Sequence, residues 1–135
     1  MTGTARRRAT ALAFAVGLVA AGVGVHAFAP DTAVSDIAGD LLYALLIYAL
    51  VVVLVPRLPA LGAGAIMLVW CVGVEAFQLT GLPVAWAAAF PPIVLVLGTV
   101  FDARDLAVYA VAAVGAACVD AFACGRSTPR RGRTP

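Results

Sequence analysis

Charge is what this sequence has least of: the 135 residues carry nine basic and seven acidic side chains, 12% of the chain, against 64% hydrophobic residues. Soluble chains hold about 25% charged and about 45–50% apolar residues, so a soluble single domain is excluded. Lysine is missing altogether, all nine basic residues being arginine, and there is one histidine. Cysteine is sparse too. Cys71, Cys118 and Cys124 lie in apolar segments without Cys-x-x-Cys spacing or a nearby histidine, which removes the usual basis for a zinc or redox centre. These thiols are expected to pack as small apolar groups. A Gly-rich phosphate loop, His-Glu-x-x-His and Gly-x-Ser-x-Gly are also absent, so nothing points to phosphate cradling, zincin chemistry or a nucleophile elbow. No metal, no cofactor and no nucleic-acid partner are expected.

What is present is a series of long apolar runs, reflected in a mean hydropathy of +1.05. A spanning helix takes about 20 residues, so a chain of this length holds at most about five spans and no separate soluble domain. Uncharged or nearly uncharged runs cover about 9–28, 38–55, 61–79 and 105–124. Arg6, Arg7 and Arg8 precede the first. Its alternative is a cleaved signal peptide, since Ala27-Phe28-Ala29 has the small-x-small form of a cleavage site; the length of the run and Pro30 just beyond it speak for a span. Pro56 and Pro59 close the second run, and Thr80, Gly81 and Pro83 the third. Ser35 or Asp36 is expected to cap the second helix. In the last run Ala112 and Ala116, and Ala113 and Ala117, stand at small-x-x-x-small spacing, suited to close helix packing in lipid. Gly17 with Ala21 and Ala20 with Gly24 make the first helix a candidate partner.

Residues 84–100 are apolar but carry Pro91 and Pro92 at their middle. Paired prolines remove backbone donors and break a helix, leaving pieces of about 12 Å or less against a hydrocarbon core of about 30 Å. The positive-inside rule then chooses the topology. With four spans, Arg6, Arg7, Arg8, Arg57, Arg126, Arg130, Arg131 and Arg133 share one side and Arg104 stands alone opposite, eight to one; with five spans the split is five to four. The expected architecture is therefore an all-α integral membrane bundle of four transmembrane helices, with both termini cytoplasmic and a re-entrant or interfacial element between helices 3 and 4. Trp86 is a headgroup anchor within that element. Residues 1–124 form a single membrane domain, and 125–135 a disordered basic cytoplasmic tail attracted to anionic lipid.

That topology gathers the remaining polar residues on the outer face. Asp40 and Tyr43 open the second helix, Glu75 and Gln78 close the third, and Arg104, Asp105 and Tyr109 lie at the start of the fourth, behind Asp102. Spacings of three or four residues put each helix's pair on one side. A carboxylate within a span costs about 2.5–3.5 kcal/mol at the bilayer centre, so Glu75 should face the bundle. His26 is read as solvated at the outer end of the first helix. Asp120 is expected to pair with Arg57 or Arg126 at the inner end, and Tyr48 to pack only.

The segments Gly39-Asp40-Leu41-Leu42-Tyr43, Val74-Glu75-Ala76-Phe77-Gln78 and Phe101-Asp102-Ala103-Arg104-Asp105-Leu106-Ala107-Val108-Tyr109 resemble, in this order, the small bacterial membrane proteins of domain-of-unknown-function family 2809. More distantly the chain is similar to VanZ-like proteins, associated with glycopeptide resistance, although it lacks the Asn of their last helix. The resemblance covers about residues 39–119. It implies a bacterial cytoplasmic membrane and singles out Asp40, Glu75, Gln78 and Asp105, and it implies no established activity. From the residues, Asp40, Tyr43, Glu75, Gln78, Arg104, Asp105 and Tyr109 are candidate ligand-binding groups for a polar part of an envelope lipid or a small ligand. Three alternatives use the same cluster: an acid/base enzyme with Glu75 as the catalytic group, oriented by Gln78, an assembly subunit of a membrane complex, or a set of contacts that only sets helix register.

Overall fold

A computed structural model of the chain describes residues 3–125. The elements are α1 (Gly3–Phe28), α2 (Ala33–Leu54), α3 (Ala60–Gln78), α4 (Leu82–Ala89), a 3-10 turn (Pro91–Ile93), α5 (Val94–Leu97) and α6 (Ala103–Gly125), with no β-strand among the described residues. Of these, α1, α2, α3 and α6 are long and apolar enough to cross a membrane. The protein is a multi-pass membrane protein built on four spans. The expected basic tail, apart from Gly125 at the end of α6, lies outside the described residues.

Helix ends follow local chemistry. α2 begins earlier than expected because its cap is Thr32, not Ser35 or Asp36: Thr32 is extended at φ −141° and ψ 159°, and Ser35 is the third residue of a capping box. The Ser35 N–H donates to Thr32 Oγ1 at 3.3 Å, and the Thr32 N–H to Ser35 Oγ at 3.0 Å. Two of the otherwise unpaired donors of the first turn are thereby satisfied. Gly81, at φ +70°, ends the turn after α3, and Pro83 starts α4 where a missing N–H does no harm. α4, eight residues long, measures about 12 Å. As expected from Pro91 and Pro92, nothing between α3 and α6 is long enough to cross.

Packing is built on small residues. α2, α3 and α6 share a core of Ala44, Tyr48 and Val52, of Ala63, Met67 and Cys71, and of Tyr109 with Ala112 and Ala113 three and four residues on, so that each set lies on one side of its helix. Gly64 allows α3 and α6 to approach closely: a Cβ there would lie 3.2 Å from the Ala113 carbonyl oxygen and 3.6 Å from Ala117 Cβ. The small pair Ala113 and Ala117 thus meets α3, not α1, because the glycine that lets the backbones touch is on α3. α1 packs along α2, with Ala15 and Leu18 against Ala49. No atom lies within 4 Å of where a Cβ would stand on Gly17 or Gly24. Large apolar side chains such as Val16, Val69, Val111 and Phe122 stand on the outside of the bundle, the inverse of a soluble surface. Of the cysteines only Cys71 is buried; Cys118 and Cys124 are exposed, contrary to expectation, because they lie off the seam that α6 presents to α2 and α3.

Candidate functional site

Two polar clusters mark opposite ends of the bundle. At the first, Arg7 of α1 reaches across the chain. Its Nε donates to Asp120 Oδ1 at 3.0 Å, and a second guanidinium nitrogen to Asp120 Oδ2. Its Nη1 donates to the carbonyls of Pro56 and Leu58 at 2.8 and 2.6 Å. The Tyr48 hydroxyl adds a 2.8 Å bond to Asp120 Oδ2. The expected partners of Asp120 are corrected here: Arg57 does not pair with it, Arg126 is outside the described residues, and Arg7 is 113 residues away in sequence. Tyr48 does more than pack, since its ring lies in the core while its hydroxyl reaches the acid. The arrangement joins the start of α1, the α2–α3 turn and the end of α6, so the four long helices run alternately up and down.

At the other end, Asp40, Tyr43, Glu75, Gln78, Arg104, Asp105 and Tyr109 all line one cavity of about 910 Å³, between α1, α2, α3, α6 and residues 94–102. Glu75 is 1% exposed. Its two oxygens are both engaged: Tyr109 donates its hydroxyl to Oε1 at 3.0 Å, and the Asp102 N–H donates to Oε2 at 3.3 Å. A carboxylate that would be costly in a span is thus held by two donors from α6 and the strand of chain before it, which ties α3 to α6. Gln78 turns the other way. Its Nε2 donates to the Leu97 carbonyl at 2.9 Å, and Gly98 at φ +60° leaves the necessary room, since a Cβ there would stand 2.5 Å from that nitrogen.

Two acceptors are left over. Gln78 Oε1 and Asp105 Oδ1 are buried and have no hydrogen-bond partner, Arg104 Nε standing 3.8 Å from Asp105 Oδ1, beyond hydrogen-bond distance; their residues are 8% and 9% exposed. A buried acceptor without a donor costs about 1–3 kcal/mol, so such atoms call for an explanation. Asp40 of α2 and Asp105 of α6 line the same cavity as Glu75. Acids outnumber bases in the lining: Asp31, Asp36, Asp40, Glu75, Asp102 and Asp105 face Arg104 and His26. Arg104 is shared among Asp102 at 3.3 Å, Asp105 at 3.8 Å and Asp36 at 3.9 Å. One arginine is thus divided among three acids.

Tyr43 lines the cavity, but its hydroxyl accepts a 2.9 Å bond from Trp70 Nε1 on α3 and serves no carboxylate. Trp70 had no signal in sequence beyond being aromatic. Asp36 did: it stands four residues before Asp40, on the same side of α2. Trp86 of α4 packs its ring against Phe77, with centroids 5.5 Å apart. Among the described residues, no group of three or more His, Cys, Asp or Glu is arranged to hold a metal ion.

Four spans around an alanine-rich seam, with an acidic cavity at one end and an arginine clamp at the other, define a small polytopic membrane protein. The chain belongs to the family described as Protein of unknown function (DUF2809), whose sequence profile matches residues 29–113. That match takes in all seven candidate cavity residues, and it leaves out the whole of α1 and the end of α6 that carries Asp120. Comparison with curated proteins and with solved structures found no match.

Proposed function

We propose that the acidic cavity binds a cationic, hydrogen-bond-donating group, an ammonium carried by an envelope lipid or by a small ligand. The observation that supports this reading is the pair of buried acceptors, Gln78 Oε1 and Asp105 Oδ1, left without donors in a cavity whose acids outnumber its bases. An ammonium supplies both the missing donors and the missing charge. Asp40 and Asp105 line the same cavity, and an ammonium beside them supplies a counter-charge in a region of low dielectric. The apolar walls, Leu18, Val23, Leu46 and Val94 among them, suit the chain of an amphiphile. Glu75, with both oxygens engaged, positions the wall and is the less suited to acid/base chemistry. On this reading the membrane is the bacterial cytoplasmic membrane that the family resemblance implies, and the arginine distribution supports cytoplasmic termini and a cavity facing outward.

The test is binding of phosphatidylethanolamine, phosphatidylcholine and free ethanolamine to the detergent-purified full chain, read by native mass spectrometry. Phosphatidylcholine carries the same positive charge without N–H donors, so phosphatidylethanolamine is expected to bind the more tightly. Asp105→Asn is expected to weaken it by about tenfold or more, the equivalent of one hydrogen bond to a charged group. Ethanolamine binding as tightly as the lipid identifies a small ligand as the natural occupant. Equal binding of the two lipids, or an Asp105→Asn variant that binds like the parent, refutes the reading.

A further inference from the structure

The acidic cavity changes character with depth. Its acids and its two unpartnered acceptors stand toward the helix ends, whereas the lining farther along α1 and α2 is apolar, with Leu18, Val19, Leu42 and Leu46. Val19 lies nine residues from Phe28, where α1 ends, or about 14 Å into the span, close to half of a hydrocarbon core of about 30 Å. The cavity thus reaches the depth of acyl chains. Its flanks are held by different neighbours: α1 packs along α2, while α5 packs against α4 and the 3-10 turn. The lining on these two flanks, Val19 and Val23 on α1 and Leu95 and Val96 on α5, is apolar and exposed. Gly22 belongs to the same stripe of α1, three residues from Val19. It lines the cavity as well, and no atom lies within 4 Å of where its Cβ would stand.

We infer that the cavity opens sideways into the membrane between α1 and α5, and that its ligand is a phospholipid with a primary ammonium headgroup. The headgroup is held at the carboxylate end while one acyl chain crosses Gly22 and leaves between the two apolar flanks. The inference rests on the ammonium reading of the same cavity and adds the class of the ligand and its route. A water-soluble ammonium would be met by the polar end alone and would make no use of exposed apolar flanks at acyl-chain depth, whereas a chain lying there buries methylene groups against valine and leucine. Gln78 is the positioning residue. Its Nε2 holds the Leu97 carbonyl and so fixes the end of α5, and its Oε1, on the same carboxamide, is one of the two acceptors left for the headgroup.

The experiment is native mass spectrometry of the detergent-purified full chain with phosphatidylethanolamine and with glycerophosphoethanolamine, the same headgroup without acyl chains. The lipid is expected to bind at least about tenfold more tightly, the factor that burial of about two methylene groups supplies. Gly22→Leu is expected to remove that advantage while leaving glycerophosphoethanolamine binding and the melting temperature as in the parent. Gly17→Leu, on the same helix, outside the cavity lining and equally open at its Cβ, is expected to change neither. The inference is overturned if the headgroup alone binds as tightly as the lipid, a comparison that needs no variant. It is also overturned if a folded Gly22→Leu protein binds the lipid like the parent, or if Gly17→Leu weakens binding as much as Gly22→Leu does. In each of these cases the ammonium reading stands so long as phosphatidylethanolamine is still preferred over phosphatidylcholine and Asp105→Asn still weakens binding. Equal binding of those two lipids, both blocked by Gly22→Leu, is instead the failure of the ammonium reading, and it overturns the headgroup assigned here with it.

Discussion

Removing the Asp120 carboxylate tests the clamp that joins the ends of three long helices. In Asp120→Ala, the Arg7 guanidinium keeps its bonds to the Pro56 and Leu58 carbonyls, at 2.8 and 2.6 Å, but loses its counter-charge. Tyr48 loses the stronger of its two acceptors and retains the Ala60 carbonyl at 3.3 Å. Both side chains of the ion pair are 14% exposed. Breaking one side of a buried pair costs about 3–5 kcal/mol, and the residual exposure puts this case at the low end, about 3 kcal/mol. A change of that size lowers the melting temperature by about 10 °C in a chain of this length. The assay is thermal unfolding of the detergent-purified protein, followed by circular dichroism. Replacing both partners, as Arg7→Met with Asp120→Leu, is expected to recover part of the loss, because an apolar pair leaves no uncompensated charge. An Asp120→Ala protein that melts within about 2 °C of the parent, a shift of under about 1 kcal/mol, refutes the reasoning. So does a double variant less stable than the single one.

Two further substitutions probe glycines whose freedom the fold uses. Gly98→Ala forces a side chain into a backbone conformation, φ +60° and ψ −160°, that is essentially glycine's alone, and onto Gln78 Nε2, 2.5 Å from the new Cβ; a loss of about 1–3 kcal/mol is expected from the backbone alone, and a melting curve matching the parent's counts against the Gln78–Leu97 contact. Gly64→Val places a methyl-bearing carbon 3.2 Å from the Ala113 carbonyl and should cost about 1–3 kcal/mol by pushing α3 off α6. Gly17→Val, on the open side of α1, serves as its control and should leave the melting temperature unchanged.

Much of the architecture was legible in the residues because membranes make certain choices expensive. The break at Pro91 and Pro92 was readable because a missing N–H and a clashing ring act on their own neighbours. The seven cavity residues were readable as a group once topology put the same ends of three helices together, with polar residues where an apolar one would be cheaper. Caps were less legible: Thr32, Ser35 and Asp36 are all good N-cap types, and only the extended backbone at Thr32 selects among them.

Pairing was not legible at all. Nothing local distinguishes Arg7 from Arg57 as the partner of Asp120, since the answer depends on how α1 lies across the ends of α2 and α6. The same holds for Tyr43, which bonds Trp70 and not a carboxylate, and for the division of labour between Glu75, with both oxygens satisfied, and Gln78 and Asp105, each with one acceptor left over. By itself the sequence determined the number of spans, their approximate limits and the gathering of the acids at one end, because transfer from water to lipid acts on each residue where it stands. The tertiary structure alone decided which acid meets which base, which acceptors stay without donors and where the cavity opens, because hydrogen bonds depend on fractions of an ångström between helices far apart in the chain.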